Sequence, residues 1–405
     1  MITAIHDDLF APDVIANPYT YFGKLREEDP VHWNDKYQVW VVTRYDDLVW
    51  LTRHHELFSS EVFRRDPRPP YPPIDETDME LYRFVRAFFG DWFIQHDPPV
   101  HTEMRRVVHS YFTPKSMEKW RPLVQAAIKE LLDEAEAQGR MDVMCDFATP
   151  LPVLVIAQLM GIPHDDRLFI RELAKKLLFV ARPDSDRMQP LTEGLQELAE
   201  YLSPAVEERM VSPRDDLLSV LLSGEKSGAL TRQEVVANAV LLLLAGHETT
   251  INLLCNGSLT FIRHPEQWQL FQGNPVLTVP ATEECLRYDP PVKSLQRIAA
   301  QDVELRGKVI RTLDRVRWFI PAANRDPRQF PNPEGFDITR SPNPHVAFGA
   351  GIHFCLGAYL ARMEGQEAFK ALAERFPTLH LETEELDYEP SITFRSLKSL
   401  PVTWN

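Results

Sequence analysis

The chain has 405 residues, 44% of them hydrophobic and 25% charged, with a formal net charge of −15. That is ordinary globular composition, long enough for a core that encloses a cofactor. The acidic balance argues against nucleic acid as the main partner, because binding phosphate needs clustered Lys and Arg, but it leaves room for a local basic patch facing an acidic protein.

The four cysteines, Cys145, Cys255, Cys285 and Cys355, are widely spaced and form no CxxC. Neither a disulfide framework nor a zinc ribbon is expected, and a reduced, cytoplasmic setting is. Residues Met1 to Asp8 have no basic flank or apolar run, so no signal peptide is expected. The longest apolar stretch, Val235 to Gly246, carries Asn238 and is too short to span a bilayer.

In chain order, Val31 to Thr43 alternates and reads as a hairpin turning at Asn34-Asp35, followed by a short helix over Asp46 to His54. Arg64 to Pro73 is rich in Pro and Arg and must be a loop, suited equally to a flap over a pocket or an inert surface. From Lys115 to Arg263 the pattern is helical. Met117 to Gln138 stops at Gly139, and Pro163 and Pro183 punctuate further helices. Thr231-Arg-Gln-Glu234 is a capping box. The helix it opens runs to Arg263, about 33 residues or roughly 50 Å, so it should cross the molecule and form its centre.

After Pro291, short alternating pieces at Asp302 to Glu304 and Val316 to Ile320 suggest a minor sheet, and residues 321–347 meander. Leu356 to Arg375 is a last long helix, stopped by Pro377. With no linker or repeat, residues 1–405 read as one mostly α domain with a small β part.

The most telling segment is Phe348-Gly-Ala-Gly-Ile-His-Phe-Cys-Leu-Gly357. Its glycines let backbone pass close to a flat, bulky object. Cys355 stands just before the expected helix start at Leu356, where a helix N-terminus favours the thiolate and amides can tune a metal ligand. This segment resembles F-x-x-G-x-H-x-C-x-G, the haem-binding signature of the cytochrome P450 family, with Phe348, Gly351, His353, Cys355 and Gly357 at its fixed positions. The resemblance implies the P450 fold, a triangular prism whose long central helix lies over haem b beside minor β-sheets. It makes Cys355 the axial ligand of the iron, and a thiolate there favours O–O cleavage.

Three further segments match the family in order. Ala245-Gly-His-Glu-Thr-Thr250 falls midway along the central helix. The family sets this run over the distal haem face, Ala245 included, with Thr249 holding water or peroxide and Glu248 relaying protons. Cleaving O–O heterolytically needs protons, which an acid–hydroxyl pair supplies. His247 is read as a bystander. Glu284-Cys-Leu-Arg287 resembles the E-x-x-R pair that pins the meander, with Glu283 an alternative partner at spacing four. Here the sequence departs from many relatives, which have Arg just before the meander Phe. This chain has Gly335 before Phe336, so the third member is missing or supplied elsewhere, Arg340 being a candidate. His96-Asp-Pro-Pro-Val-His-Thr-Glu-Met-Arg105 resembles D-P-P-x-H-x-x-x-R, assigning His101 and Arg105 to the haem propionates with Arg297 and His353.

For the substrate, the resemblance gives only regions. Phe89, Phe93, Phe179, Leu241, Ala245, Val292, Leu295 and Thr393 are expected to face a hydrophobic pocket, with Lys293 and Arg395 expected in solvent. The implied activity is insertion of one oxygen atom from dioxygen into a small hydrophobic molecule by hydroxylation or epoxidation. No flavin or iron–sulfur segment follows Cys355, so electrons from NAD(P)H are expected through a ferredoxin and its reductase, docking near Arg105, Arg106 or Arg362. The chain could equally be a haem domain cut from a longer fusion; a monomer and no membrane or nucleic-acid partner are expected. The alternatives are a peroxygenase of the same fold and a haem-free helical ligand-binding protein.

Overall fold

The computed structural model describes residues 5–70, 73–177, 184 and 186–404. The capping box at Thr231 forms as the sequence requires. The Thr231 hydroxyl accepts from the Glu234 amide at 3.2 Å, and the Glu234 carboxylate accepts from the Thr231 amide at 2.7 Å. Two otherwise orphaned donors are thereby satisfied at the start of the central helix, Arg232–Arg263. This helix is long and apolar enough to cross a membrane, yet 67% of its most apolar 18-residue window is buried inside the protein. It is apolar on most sides because Pro150–Leu159, Leu217–Ser227, Met188–Val211 and the terminal helix Ala358–Arg375 all pack around it. Each fully buried Leu or Val on it contributes about 1.5–3 kcal/mol. At Gly257 a Cβ would lie 2.3 Å from the Phe369 ring, so the central and terminal helices meet with only hydrogen between them.

The main sheet has five strands in the order Val31–Asn34, Val39–Val42, Arg315–Phe319, Ser294–Ala299 and Phe58–Ser59. Only the Val39–Val42 and Arg315–Phe319 pair is parallel. Leu295 opposes Trp318 and Arg297 opposes Val316, so Leu295 and Arg297 share one face of the sheet. The hairpin turns at Asp35 to Gln38, later than expected. Asn34 remains in the strand while its side chain accepts from the Tyr37 amide at 2.9 Å, and Gln38 takes φ +49° to close the loop. Val303–Leu305 pairs instead with Lys308–Ile310 in a separate ribbon. A third sheet joins Arg140–Asp142, Pro401–Trp404 and Leu379–Leu381.

One other expectation is corrected. The run expected from Met117 is broken into Pro114–Glu118 and Arg121–Gln138. Pro122 cannot donate the amide that would continue the first helix into the second. Gly139 ends the second at φ +72° as expected. The Pro- and Arg-rich loop is anchored where it is described: buried Asp66 pairs with Arg315 and Arg68, and Arg315 also donates to the Pro69 carbonyl at 2.8 Å.

Candidate active site

The cysteine loop is held by its backbone. The Cys355 amide donates to the Phe348 carbonyl at 2.9 Å. Gly351 sits at φ +72°, and a Cβ there would lie 2.3 Å from the Thr52 carbonyl oxygen, so only glycine lets the loop rest on the helix Tyr45–Arg53. The terminal helix begins at Ala358, with Gly357 as its cap, rather than at Leu356. Cys355 is thus three residues short of helical backbone. Burial pushes its thiol up, opposed by the Gly357 amide and the charges of Arg105 and Arg362.

Above the loop lies a cavity of about 240 Å³. Phe348, Gly349, Cys355 and Gly357 line one side, and Leu241, Ala245 and Thr249 of the central helix line the other. The Thr249 hydroxyl donates to the Ala245 carbonyl at 3.1 Å, an i−4 bond that competes with the helix's own ladder. Glu248, one residue around the helix, is 6% exposed and is absent from the lining. It accepts from Asn252 at 3.1 Å and Ser396 at 3.2 Å, and burial raises its carboxyl against those two bonds. His247 points elsewhere, bonded to the Leu243 carbonyl at 2.7 Å.

A second carboxyl also reaches the cavity. Glu364 of the terminal helix is fully buried, accepts from Thr250 at 3.4 Å through one oxygen, and has no partner on the other. Burial raises it to about 8. Nothing in the run Ala358 to Lys370 distinguishes it from a surface acid; only its place on the cavity-facing side of that helix does.

Arg105 and His353 form one edge of the cavity, and two further nitrogen donors, His101 and Arg297, stand beside that edge outside its lining. His101 is 2% exposed with neither ring nitrogen bonded, and its ring lies 4.1 Å from that of His353. His353 meets the Ser60 hydroxyl at 2.8 Å through Nε2, leaving Nδ1 buried without a partner. Arg297 lies over the Trp318 ring, donates only to the Gln296 carbonyl at 2.9 Å, and is lowered to about 10 by burial. His101 is lowered to about 4 by burial and then by Arg105 and Arg297. Asp97, the neighbouring carboxylate, is already taken by the Ser59 hydroxyl and the Ser60 amide. Buried donors this poorly matched are costly unless an anion meets them. A flat ligand bearing carboxylates, as haem does, fits this edge and the cysteine below it. Arg105 lines the same cavity and donates to the Phe354 carbonyl at 2.6 Å.

Below the loop, Glu284 and Arg287 form a bidentate pair at 2.7 and 2.8 Å, both fully buried. Arg287 also donates to the carbonyls of Asn324, Pro333 and Gly335 at 3.0, 2.8 and 2.8 Å. Glu284 further accepts from Arg340 at 3.1 Å, Asn343 at 3.0 Å and the Asp337 amide at 2.9 Å. Arg340 thus occupies the place that Gly335 leaves open, from five residues further along. Glu283 does not join them; it binds Arg362 at 2.7 and 2.9 Å and His345 at 3.1 Å. Of the three arginines considered for docking a partner, Arg105 and Arg362 already meet acceptors within the chain.

Among the residues expected at the substrate, Phe93, Leu241, Ala245, Val292 and Leu295 line the cavity. Phe89 does not: it is 2% exposed and packs against Trp92 at 4.2 Å and Phe63 at 5.2 Å, as core. Thr393 does not line it either; its carbonyl accepts from the Lys293 amide at 2.7 Å. Phe179 lies outside the described residues. Lys293 and Arg395 are buried, not in solvent as expected. Arg395 is drawn in by the carbonyls of Ile15 and Ala16, at 2.6 and 3.0 Å.

The profile of the family described as Cytochrome P450 matches residues 71–272 and 276–400. The chain is 36% identical over 398 residues to the biotin biosynthesis cytochrome P450 of Bacillus subtilis (strain 168), covering 97% of both. It is 37% identical over 402 residues to the cytochrome P450 monooxygenase PikC of Streptomyces venezuelae, covering 97% of this chain and 92% of that one. Among solved structures, P450BioI in complex with acyl carrier protein carrying hexadec-9Z-enoic acid superposes with a TM-score of 0.88 at 34% identity, covering 97% of this chain and all of that one. With the cysteine loop and the central helix facing each other across the cavity, the chain belongs to the cytochrome P450 family and is a monooxygenase.

Proposed function

We propose that Cys355 holds the iron of haem b in the cavity between its loop and the central helix, in a chain that forms a single haem domain. The observation that carries this reading is the gathering of His101 and Arg297 about His353, which with Arg105 lines the cavity beside the half-buried Cys355; among the described residues no carboxylate is bonded to these three. His101, Arg105, Arg297 and His353 would hold the haem carboxylates, and Ala245, Phe348, Gly351 and Gly357 would shape the slot. A metal cation makes the thiolate the stable form that burial alone opposes. When bound, the haem activates dioxygen for insertion of one atom into a substrate, two electrons and two protons carrying the other away as water.

The chain's own residues do the rest. Phe93, Leu241, Val292 and Leu295 exclude water and orient a small hydrophobic substrate. Thr249 presents its hydroxyl to the cavity and holds a proton there, and Glu248 resupplies it from behind. Electrons come from NAD(P)H through a ferredoxin and its reductase, and the enzyme works as a cytoplasmic monomer. The acid–hydroxyl pair supports dioxygen over peroxide as oxidant, because peroxide brings its own protons.

The test is spectroscopic. Reduced by dithionite under carbon monoxide, the protein should show the strongly red-shifted band of a thiolate-ligated haem, and Cys355→Ser should abolish it. A band unchanged in the serine variant overturns the assignment. Turnover with ferredoxin, reductase and NAD(P)H but not with peroxide alone separates the monooxygenase from the peroxygenase.

A further inference from the structure

Glu248 lies behind the cavity wall, so each proton it passes forward must be replaced from elsewhere. Asn252, Asn256, Thr260 and His264 follow it at successive intervals of four residues. That spacing puts all five on one stripe of the central helix, about 24 Å long. On a helix otherwise walled in by apolar packing, this stripe is polar throughout, and from Glu248 to Thr260 it is buried.

The stripe is bonded at its two ends and not through its middle. Asn252 donates to Glu248 at 3.1 Å, the Thr260 hydroxyl donates to the main-chain carbonyl of Asn256 at 2.7 Å, and His264 Nδ1 meets the main-chain carbonyl of Thr260 at 2.8 Å, while no direct bond joins the side chains of Asn252 and Asn256. Asn256 also donates to the Arg395 carbonyl at 3.0 Å, beside Ser396, whose hydroxyl reaches Glu248. The side-chain oxygens of Asn252 and Asn256 are buried and meet no donor in the protein. Water is the donor that satisfies such groups where a site is polar.

The far end opens to solvent. Thr260, Arg263 and His264 line a cleft of about 500 Å³ between the end of the central helix, the N-terminal helix Pro18–Glu28 and the meander. Arg395 also lines it, its charge matched by Asp289 at 3.4 Å.

We infer that this stripe is the proton supply of the enzyme: water in the cleft delivers protons along Thr260, Asn256, Asn252 and Ser396 to Glu248. The hydroxyls of Thr260 and Ser396 relay by accepting one proton while releasing another. The asparagines hold the intervening waters and do not themselves ionise. One proton enters at the cleft for each that Glu248 gives up to the cavity, so charge balances over a cycle. The inference rests on the proposed role of Glu248 in oxygen activation, but its test does not need turnover.

The test is infrared hydrogen–deuterium exchange on the purified haem protein at mildly acidic pH, with the carboxyl bands of Glu248 and Glu364 assigned through Glu248→Gln and Glu364→Gln. Glu364 lies on the cavity and serves as an internal reference. In Asn256→Leu the Glu248 band should shift in D2O about tenfold more slowly or worse, with the Glu364 band unchanged. If Asn256→Leu fails to fold, Thr20→Trp, which narrows the exposed mouth of the cleft, should slow the same band. Exchange of Glu248 at the wild-type rate in a folded variant overturns the route, as does equal slowing of both bands. Slowed exchange with normal coupling of NAD(P)H to product would keep the route and remove Glu248 from the oxygen chemistry, so the two readings fail separately.

Discussion

Beneath the cysteine loop, each of the five guanidinium protons of Arg287 finds an acceptor, and Glu284 accepts from two arginines, an asparagine and a backbone amide. Around the cavity, His101 has both nitrogens buried and unbonded, His353 has one, and Glu364 has a bare oxygen. The two regions share one thin loop and obey opposite rules. Saturated polar groups fix a geometry; unsaturated ones hold free energy in reserve for a ligand. The difference separates support from site without any appeal to likeness.

The largest effect should come from breaking the saturated region. Glu284→Ala leaves Arg287 buried without its counter-charge and should cost about 3–5 kcal/mol in urea unfolding. Arg340→Ala, at the rim of the same cluster, should cost less, since Arg287 keeps its carboxylate. Equal losses would show that the meander hangs on Arg340 as much as on the pair.

Next comes the pH dependence of Glu364, raised from the ordinary 4.5 to about 8 by burial. Below the ordinary value both folded and unfolded chains are protonated. Between that value and 8 the unfolded chain releases a proton that the folded one keeps, so stability falls as pH rises and levels off above 8. Glu364→Gln should remove that slope and exceed the wild type by up to about 5 kcal/mol at alkaline pH. A slope that survives in Glu364→Gln would place the raised carboxyl elsewhere.

Thr249→Val should keep the thiolate spectrum while lowering product formed per NAD(P)H by about 10²-fold, the electrons appearing as hydrogen peroxide. His101→Phe should have the smallest effect, removing one unsatisfied donor beside the cavity edge. Haem loss to a scavenging globin should quicken by roughly tenfold, about 1–2 kcal/mol. No change there would mean that His101 is core and that Arg297 and His353 hold the propionates without it.

The sequence was legible where local chemistry decides the outcome. The Thr231 capping box, the stop at Gly139 and the Glu284–Arg287 pair each depend on residues within one turn, and each stands in the structure where read. Aromatic and charged residues whose setting is tertiary were harder. Phe89 and Phe93 look alike in sequence, yet one packs on Trp92 and the other lines the cavity. Arg395 reads as a surface residue because nothing local announces that Ile15 and Ala16, some 380 positions earlier, will offer it their carbonyls. Glu364 escaped notice for the same reason: its burial is set by Thr250 of another helix, 114 positions away.

Gly257 carries a consequence for the whole cavity. The central and terminal helices touch there through hydrogen and the Phe369 ring, and meet again at Leu253 with Gly365 and at Thr250 with Glu364 on the way to the cavity. A methyl group inserted at Gly257 would push the two helices apart and change the spacing of the cavity walls without touching any residue that lines them. The width of the reaction space is thus written in an atom that the glycine lacks.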